Sequence, residues 1–214
     1  DSYVAAGKYD DAEIAYKNVL QLDPVDAEAI GRLGLIYDEE GRLGPAYTYL
    51  KKGSELKPDN LVLRMKLGAI EVALGQLDAA KKEANYVLDH NPGDTEAPLL
   101  IANTINQQDD IEKVRQRLLQ LPAPAPQGAP VLLALGTIEF RQRHFTEAAA
   151  LFHRAEAIAP KSASAWSALA SVYLAQNDRA QADATLQKAA ELSPQRSPVR
   201  LQYALFKLQT GDQA

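Results

Sequence analysis

Side chains that commonly carry catalysis or bind metals are few in this sequence and are scattered along it. No two of the three histidines, His90, His144 and His153, stand at a spacing typical of metal ligands. The serine of Gly53-Ser54-Glu55 lies in a helical stretch. It therefore lacks the strand–turn–helix context that a nucleophilic serine needs. The residues therefore predict neither a catalytic site nor a metal site.

Missing residue types narrow the chemistry further. The chain has no cysteine, so it has neither a thiolate nucleophile nor a Cys-based metal site. Its glycines are isolated and periodic, and they do not gather into a phosphate-binding loop. Acid pairs such as Asp10-Asp11, Glu39-Glu40 and Asp109-Asp110 flank helix turns, where capping and solvation explain them. We expect a protein that is not an enzyme and that needs no cofactor, with any catalytic residues lying outside this chain.

Charge and hydropathy argue against two further classes of partner. The net charge is −5, and positive charge gathers only in short pairs such as Lys51-Lys52 and Lys81-Lys82, so no nucleic-acid surface is predicted. No run of about 18 apolar residues occurs, so we expect no membrane insertion of this segment. The absence of cysteine fits a reducing cytoplasm and equally an oxidising bacterial periplasm, and the compartment stays open.

A repeat becomes visible in the prolines, six of which recur at a constant spacing of 34 residues. They are Pro24, Pro58, Pro92, Pro126, Pro160 and Pro194. Two columns of small residues share the same period. One contains Gly34, Gly68, Ala102, Gly136, Ala170 and Ala204, and the other contains Ala12, Ala46, Ala80, Ala148 and Ala182, with Val114 in its fourth copy. Such a register predicts one supersecondary unit repeated along the chain.

The columns indicate a helix–turn–helix unit. Small residues let two helices approach closely, and a proline ends the second helix because it cannot donate the backbone bond of a continuing helix. Glycines at the turn permit a left-handed residue, and the copies without glycine have Asp109, Arg143 and Asn177 there. A further column, expected to cap the first helices, contains Asp26, Asn60, Asp94 and Ser162, with Ser197 serving one residue later.

These residues resemble the tetratricopeptide repeat (TPR) family, in an array of bacterial type. Trp166, Leu169, Ala170, Tyr173 and Ala182 fit the family pattern most fully. The resemblance covers the whole chain. It implies an all-α fold, a right-handed α–α superhelical solenoid of stacked helix–turn–helix repeats without any sheet.

The 34-residue frame assigns full repeats to 27–60, 61–94, 95–128, 129–162 and 163–196, and partial repeats to 1–26 and 197–214. Both ends cut a repeat, so we expect either a fragment of a longer array or a chain with disordered flanks. The repeat at 95–128 is divergent, because Val114 replaces a small residue and Pro122 comes four residues before Pro126. We predict a non-helical segment at 122–130, which serves either as a hinge or as a rigid spacer.

The family resemblance also implies where a partner binds, because first helices line the concave groove of TPR arrays. Carried over by column, the groove residues are Leu35, Asp38, Met65, Ala69, Leu99, Asn103, Asn106, Leu133, Thr137, Phe140 and Arg141. Asparagine side chains both donate to and accept from a peptide backbone. An alternative is that Leu99, Leu133 and Phe140 simply pack against neighbouring helices. The clamp of Lys, Asn and Arg with which some relatives hold terminal carboxylates is absent, since its basic columns read Met65, Leu99, Leu133 and Ser167.

The sequence thus predicts a non-catalytic scaffold that binds a peptide or helix of an unidentified protein partner. A bacterial envelope or export assembly is one possible setting, suggested by the Ala-, Gln- and Leu-rich composition. Two alternatives remain open: a regulatory or targeting arm of a larger enzyme, and a self-assembly module that associates through its end repeats.

Overall fold

The structure is a computed structural model that describes residues 9–194 and 197–211. The described residues form twelve α-helices and no strand. These are α1 (Tyr9–Leu22), α2 (Ala27–Glu39), α3 (Leu43–Leu56), α4 (Leu61–Ala73), α5 (Leu77–His90), α6 (Ala97–Asn103), α7 (Gln108–Leu119), α8 (Ala129–Arg141), α9 (Phe145–Ile158), α10 (Ala163–Ala175), α11 (Arg179–Leu192) and α12 (Pro198–Thr210). The expected all-α fold of helix–turn–helix repeats is confirmed.

The chain divides into two compact units, of which unit 1 is residues 1–106 and unit 2 is residues 107–214. Unit 1 contains helices α1 to α6, and unit 2 contains α7 to α12. The division falls inside the repeat that we predicted to be divergent. It lies ahead of the proline segment 122–130, where the sequence suggested a joint.

Side-chain caps begin the first helices as the sequence predicts. Asp26, Asn60, Ser162 and Ser197 accept hydrogen bonds from backbone amides at the starts of α2, α4, α10 and α12. Asp94 does the same just before α6, through the amides of residues 96 and 97. Each cap satisfies amide groups that have no partner within the helix, so these residues fix where the first helices start.

The turn column adopts left-handed backbone in both units. Gly41 and Gly75 have φ values of 70° and 74°, and Arg143 and Asn177 reach 65° and 59° despite their side chains. The prediction for these four positions is confirmed. Gly7, which shares the column, lies outside the described residues.

Close helix contact explains the columns of small residues. Ala46, Ala80, Ala148 and Ala182 are all fully buried. A Cβ atom added to Gly34 would lie 2.8 Å from Cγ of Leu50, which is too close for any other residue type without rearrangement. The core of each repeat therefore depends on small side chains at these points.

The divergent repeat departs from the predicted register. Asp109 was expected at a turn, but it lies inside α7, which begins at Gln108. The preceding helix α6 has only 7 residues and ends at Asn103. The hydroxyl of buried Thr104, the residue that follows α6, donates to the carbonyl of Ile101 at 2.7 Å. Because α6 ends early, α7 starts early as well.

The predicted non-helical segment at 122–130 is shorter than expected and contains one helical turn. Residues 122–128 contain no α-helix, but Ala125–Gln127 forms one 3₁₀ turn. The non-helical segment also ends sooner than residue 130, because α8 begins at Ala129. Pro130 occupies the first turn of that helix, where its missing N–H costs nothing.

Polar contacts between neighbouring repeats recur at one position of the register. Tyr37 of α2 donates to Glu13 of α1, which lies 24 residues earlier. Lys207 of α12 pairs with Asp183 of α11 at the same separation. In each case the first helix of one repeat is joined to the second helix of the preceding repeat.

Candidate binding surface

The groove residues predicted for unit 1 lie on α2, α4 and α6 or directly after α6, with different degrees of exposure. Ala69 and Asn106 are exposed, Leu35, Asp38, Leu99 and Asn103 are half-buried, and Met65 is buried. Leu35 also packs against the core cluster around Leu33 and Leu50. Within unit 1, the first-helix face is therefore a half-exposed surface with the thioether of Met65 beneath it.

An ion pair joins two neighbouring first helices of unit 1. Lys66 Nζ of α4 lies 3.0 Å from Asp38 Oδ2 of α2. Burial alone would lower the pKa of Lys66, but the hydrogen bond and the negative charge of Asp38 raise it. The predicted groove residue Asp38 is thus already engaged within the protein, and a ligand would meet a neutralised pair there.

Most of the predicted groove residues of unit 2 make packing contacts or hydrogen bonds within that unit. Leu133 and Phe140 are half-buried, and both pack against the core cluster that contains Ala148 and Leu169. The hydroxyl of Thr137 donates to the Leu133 carbonyl at 2.9 Å. Arg141, the last residue of α8, is exposed. Leu133 and Phe140 therefore support the unit 2 core in addition to lining its first-helix face.

Three exposed leucines extend this face of unit 2, and sequence reasoning missed them. Leu201, Leu205 and Leu208 of α12 are 62%, 49% and 64% exposed. They occupy the repeat positions of Leu133, Thr137 and Phe140, so continuing the same columns by two more periods would have found them. Leu174 of α10, at the position of Phe140, is 39% exposed. Unit 2 thus carries uncovered apolar surface on α10 and α12.

A cleft of about 190 Å³ opens between α2 and α4 in unit 1. Its apolar lining includes Gly31, Leu35, Val62 and Leu63. Its polar lining includes Glu28, Arg32, Lys57 and Asn60, none of which the sequence analysis assigned to binding. The one signal in the sequence was Gly31, which stands in a column where the next three repeats have Met, Leu and Leu.

The charges beside this cleft are connected to one another. Glu28 accepts from Arg32 Nε at 2.8 Å and from Lys57 Nζ at 2.7 Å. The hydrogen bond from Lys57 and then that from Arg32 lower the pKa of Glu28, so its carboxylate is ionised at neutral pH. The arrangement suits recognition of polar and apolar groups together and contains no nucleophile held by a base.

Metal-binding clusters and membrane-crossing helices are both lacking in the part of the chain that the structure describes. No group of three or more His, Asp or Glu side chains among those residues is placed to hold a metal ion. Within residues 9–194 and 197–211, no helix combines the length and the apolar character that crossing a membrane requires.

The repeat class is established by comparison with known families. The profile of the tetratricopeptide repeat matches residues 3–70, 71–137 and 139–202. These segments include most of the sequence and both units. The chain belongs to the tetratricopeptide repeat family.

Individual relatives are distant. The chain is 25% identical over 196 residues to the human protein O-mannosyl-transferase TMTC1, a match that covers 90% of this chain and 22% of the relative. It is 28% identical over 228 aligned positions to the cellulose synthase 2 operon protein C of Komagataeibacter xylinus, covering 96% of this chain and 17% of the relative. The chain thus spans about a fifth of the length of these two proteins.

A solved structure supports the fold. The crystal structure of TTC0263, a thermophilic TPR protein of Thermus thermophilus, is similar with a TM-score of 0.67 and 21% sequence identity. The match covers 85% of this chain and 99% of that protein. At this identity the likeness shows the fold alone.

Proposed function

We propose that this chain binds a peptide or helical segment of a partner protein along the first-helix face of its repeats. The observation that carries the proposal is the uncovered apolar surface of unit 2. Leu174, Leu201 and Leu205 lie on the face that the family uses for binding, and each exposes more than a third of its surface. Exposed apolar residues that gather on one face often mark an interaction surface, and these three leucines all lie on first helices.

The half-exposed face of unit 1 extends the same function with different chemistry. Asn103 and Asn106 bring amide groups to the end of α6 and the residues after it, and such groups pair with the backbone of a bound peptide. The proposed groove residues are those predicted above, with Leu133 and Phe140 acting mainly as supports for the surface.

Site-specific crosslinking combined with charge substitution tests this function. Leu174→Glu and Leu205→Glu place a carboxylate on the proposed surface, and Leu119→Glu serves as a matched control. Leu119 is 52% exposed but lies on α7, a second helix. A photoreactive residue at position 137 should crosslink to a partner in the parent and in Leu119→Glu, and should do so far less in the two surface variants. Equal crosslinking in all four proteins would contradict the proposal, and circular dichroism checks that each variant stays helical.

Two settings for such a scaffold are proposed from the names of the relatives. The human relative is an O-mannosyl-transferase that is much longer than this chain, which favours a targeting arm of a larger enzyme as a second candidate function. The Komagataeibacter relative belongs to a cellulose synthase operon, which favours a bacterial export assembly. The sequence of the full-length gene product separates the two, because the first requires an adjoining catalytic domain.

A further inference from the structure

Gly31 allows α4 to pack closely against α2 at the floor of the cleft. At the same repeat position the following first helices have Met65, Leu99 and Leu133, whose side chains are all long and apolar. At Gly31 no side chain extends, and Leu63 of α4 comes so near that a Cβ atom on Gly31 would lie 3.1 Å from its Cδ1. The floor of the cleft is therefore the Gly31 backbone together with Leu63, and Leu35 lies beside it.

The apolar floor is incompletely covered by the protein itself. Leu63 is buried, but Val62 at the mouth is 59% exposed and Leu35 is half-buried. An apolar side chain of a ligand would remove this surface from water, which favours binding. A cleft of about 190 Å³ has room for one such side chain.

The mouth offers more hydrogen-bond donors than acceptors. Lys57 Nζ carries three N–H groups, and among the described residues only Glu28 accepts from it. Asn60 uses its Oδ1 to accept from the amides of Val62 and Leu63, so its own amide nitrogen has no acceptor in the described residues. Glu28 is the one carboxylate lining the cleft, and each of its oxygens already accepts a bond. A ligand that brings acceptors fits this mouth better than one that brings donors.

We propose that the cleft is a specificity pocket for a peptide segment in which an apolar side chain of about leucine size is followed by an acidic residue. The apolar side chain lies against Leu35 and Val62, above Gly31 and Leu63, and the carboxylate accepts from Lys57. This inference rests on the proposed function, since it names the sequence that the first-helix face of unit 1 prefers. A ligand carboxylate can share Lys57 with Glu28, because the ammonium group has three N–H donors and Glu28 accepts from one.

The inference is tested by NMR titration of the ¹⁵N-labelled full chain with short capped peptides. The probe is Gly-Ser-Leu-Asp-Ser-Gly, compared with peptides in which Asn or Lys replaces the Asp and with one in which Ala replaces the Leu. We expect the first peptide to shift amides of residues 27–35 and 57–63. The Asn peptide should bind about fivefold to tenfold more weakly, because it loses one charge-assisted hydrogen bond.

Two substitutions at the mouth of the cleft, outside the core, test the pocket without disturbing the fold. Lys57→Gln removes the donor cation, and Val62→Glu adds a repelling carboxylate in the first turn of α4, where helices accept acidic residues well. Lys52→Gln is the matched control, because Lys52 is an exposed lysine on α3 whose ion pair is with Glu55 of the same helix. Binding of the Leu-Asp peptide should weaken about fivefold or more in the first two variants and stay unchanged in the control.

The outcomes separate this pocket from the wider function. Equal binding of the Asp, Asn and Lys peptides, or shifts confined to residues outside the cleft, would overturn the pocket. The crosslinking at position 137 would then still stand, since it reports on unit 2. If that crosslinking fails while the Leu-Asp peptide binds the cleft, the pocket is supported and the proposed first-helix surface of unit 2 is not.

Discussion

Glu71 in unit 1 and Glu139 in unit 2 occupy the same position of the repeat, two periods apart, and both are buried. Tyr37 and Tyr173 occupy that position in two other repeats. The two carboxyl groups nevertheless have opposite surroundings. Glu139 has two partners, whereas one oxygen of Glu71, Oε2, has no hydrogen-bond partner among the residues that the structure describes.

The partners of Glu139 come from two directions. Arg115 of α7 donates to it at 2.7 Å, and His144, at the turn after α8, lies 2.9 Å away. Burial alone would raise the pKa of Glu139, but the hydrogen bonds from His144 and Arg115 together lower it. Glu139 is therefore an ionised group in neutral solution, held by charge-assisted bonds.

The surroundings of Glu71 act the other way. Burial, and then the negative charge of Glu83 on α5, raise the pKa of Glu71 to about 7, against a smaller opposing effect of Lys51 on α3. Glu83 itself pairs with Arg64 at 2.6 Å, so that arginine is already engaged. The comparison shows that two buried carboxyl groups at one repeat position differ in protonation because the residues on neighbouring helices differ.

The largest expected effect comes from removing the principal partner of Glu139. Arg115→Met should lower the free energy of unfolding of unit 2 by about 2–3 kcal/mol, because it leaves a buried carboxylate with only His144. Urea denaturation at pH 7 measures the change. Lys113→Met, an exposed lysine on the same helix, is the control and should change stability by less than about 0.5 kcal/mol. A similar effect of both substitutions would mean that Glu139 does not depend on Arg115.

An opposite change is expected at Glu71. Its pKa is higher in the folded chain than in the unfolded one, so the stability it contributes is fully present below about pH 4.5 and is lost as the pH rises through about 7. Glu71→Gln should remove this loss, and the variant should be about 1–3 kcal/mol more stable than the parent at pH 8. The measurement is the denaturation midpoint at several pH values between 5 and 8.

Glu139→Gln is the matched variant for this pH series. The folded pKa of Glu139 is lowered, so its contribution is present above its unfolded pKa and is lost only as the pH falls through the folded value. Glu139→Gln should therefore destabilise unit 2 at pH 8, in contrast to Glu71→Gln in unit 1. If both glutamine variants change stability in the same direction at pH 8, the contrast between the two sites is wrong.

The contrast also shows how far sequence reasoning reaches in this molecule. The period predicted the small residues, such as Ala46 and Ala148, and the helix caps, such as Asp26 and Ser162. It did so because each of these residues acts within its own repeat. The early end of α6 could not be predicted, because it occurs in a single deviant copy of the repeat. A fixed period reveals what the copies share and conceals what is particular to one of them.

Candidate site residues show the same limit. Leu35 and Asp38 were assigned to the first-helix face by column, but the pairing of Asp38 with Lys66 depends on a neighbouring repeat. At the floor of the cleft, Gly31 packs against Leu63 of the next repeat. Because the Asp38–Lys66 and Gly31–Leu63 contacts join residues of different repeats, the period alone does not predict them.

The smallest effect is expected at Lys207, a third charged residue at the position of Glu71 and Glu139. Its ammonium group lies 3.2 Å from Asp183 Oδ2, but the two side chains are 20% and 35% exposed. Water and salt screen such a pair, so Lys207→Met should cost no more than about 1 kcal/mol, and less at high ionic strength. Urea denaturation in low and high salt measures the loss in the free energy of unfolding and its dependence on salt. Lys188→Met on α11 is an exposed control, because its partner Glu191 lies in the same helix. If Lys207→Met lowers the free energy of unfolding as much as Arg115→Met does, a charge pair at this repeat position is strongly stabilising even when it is partly exposed. A small, salt-sensitive cost would instead support the view that burial and the number of hydrogen bonds decide how much each pair contributes.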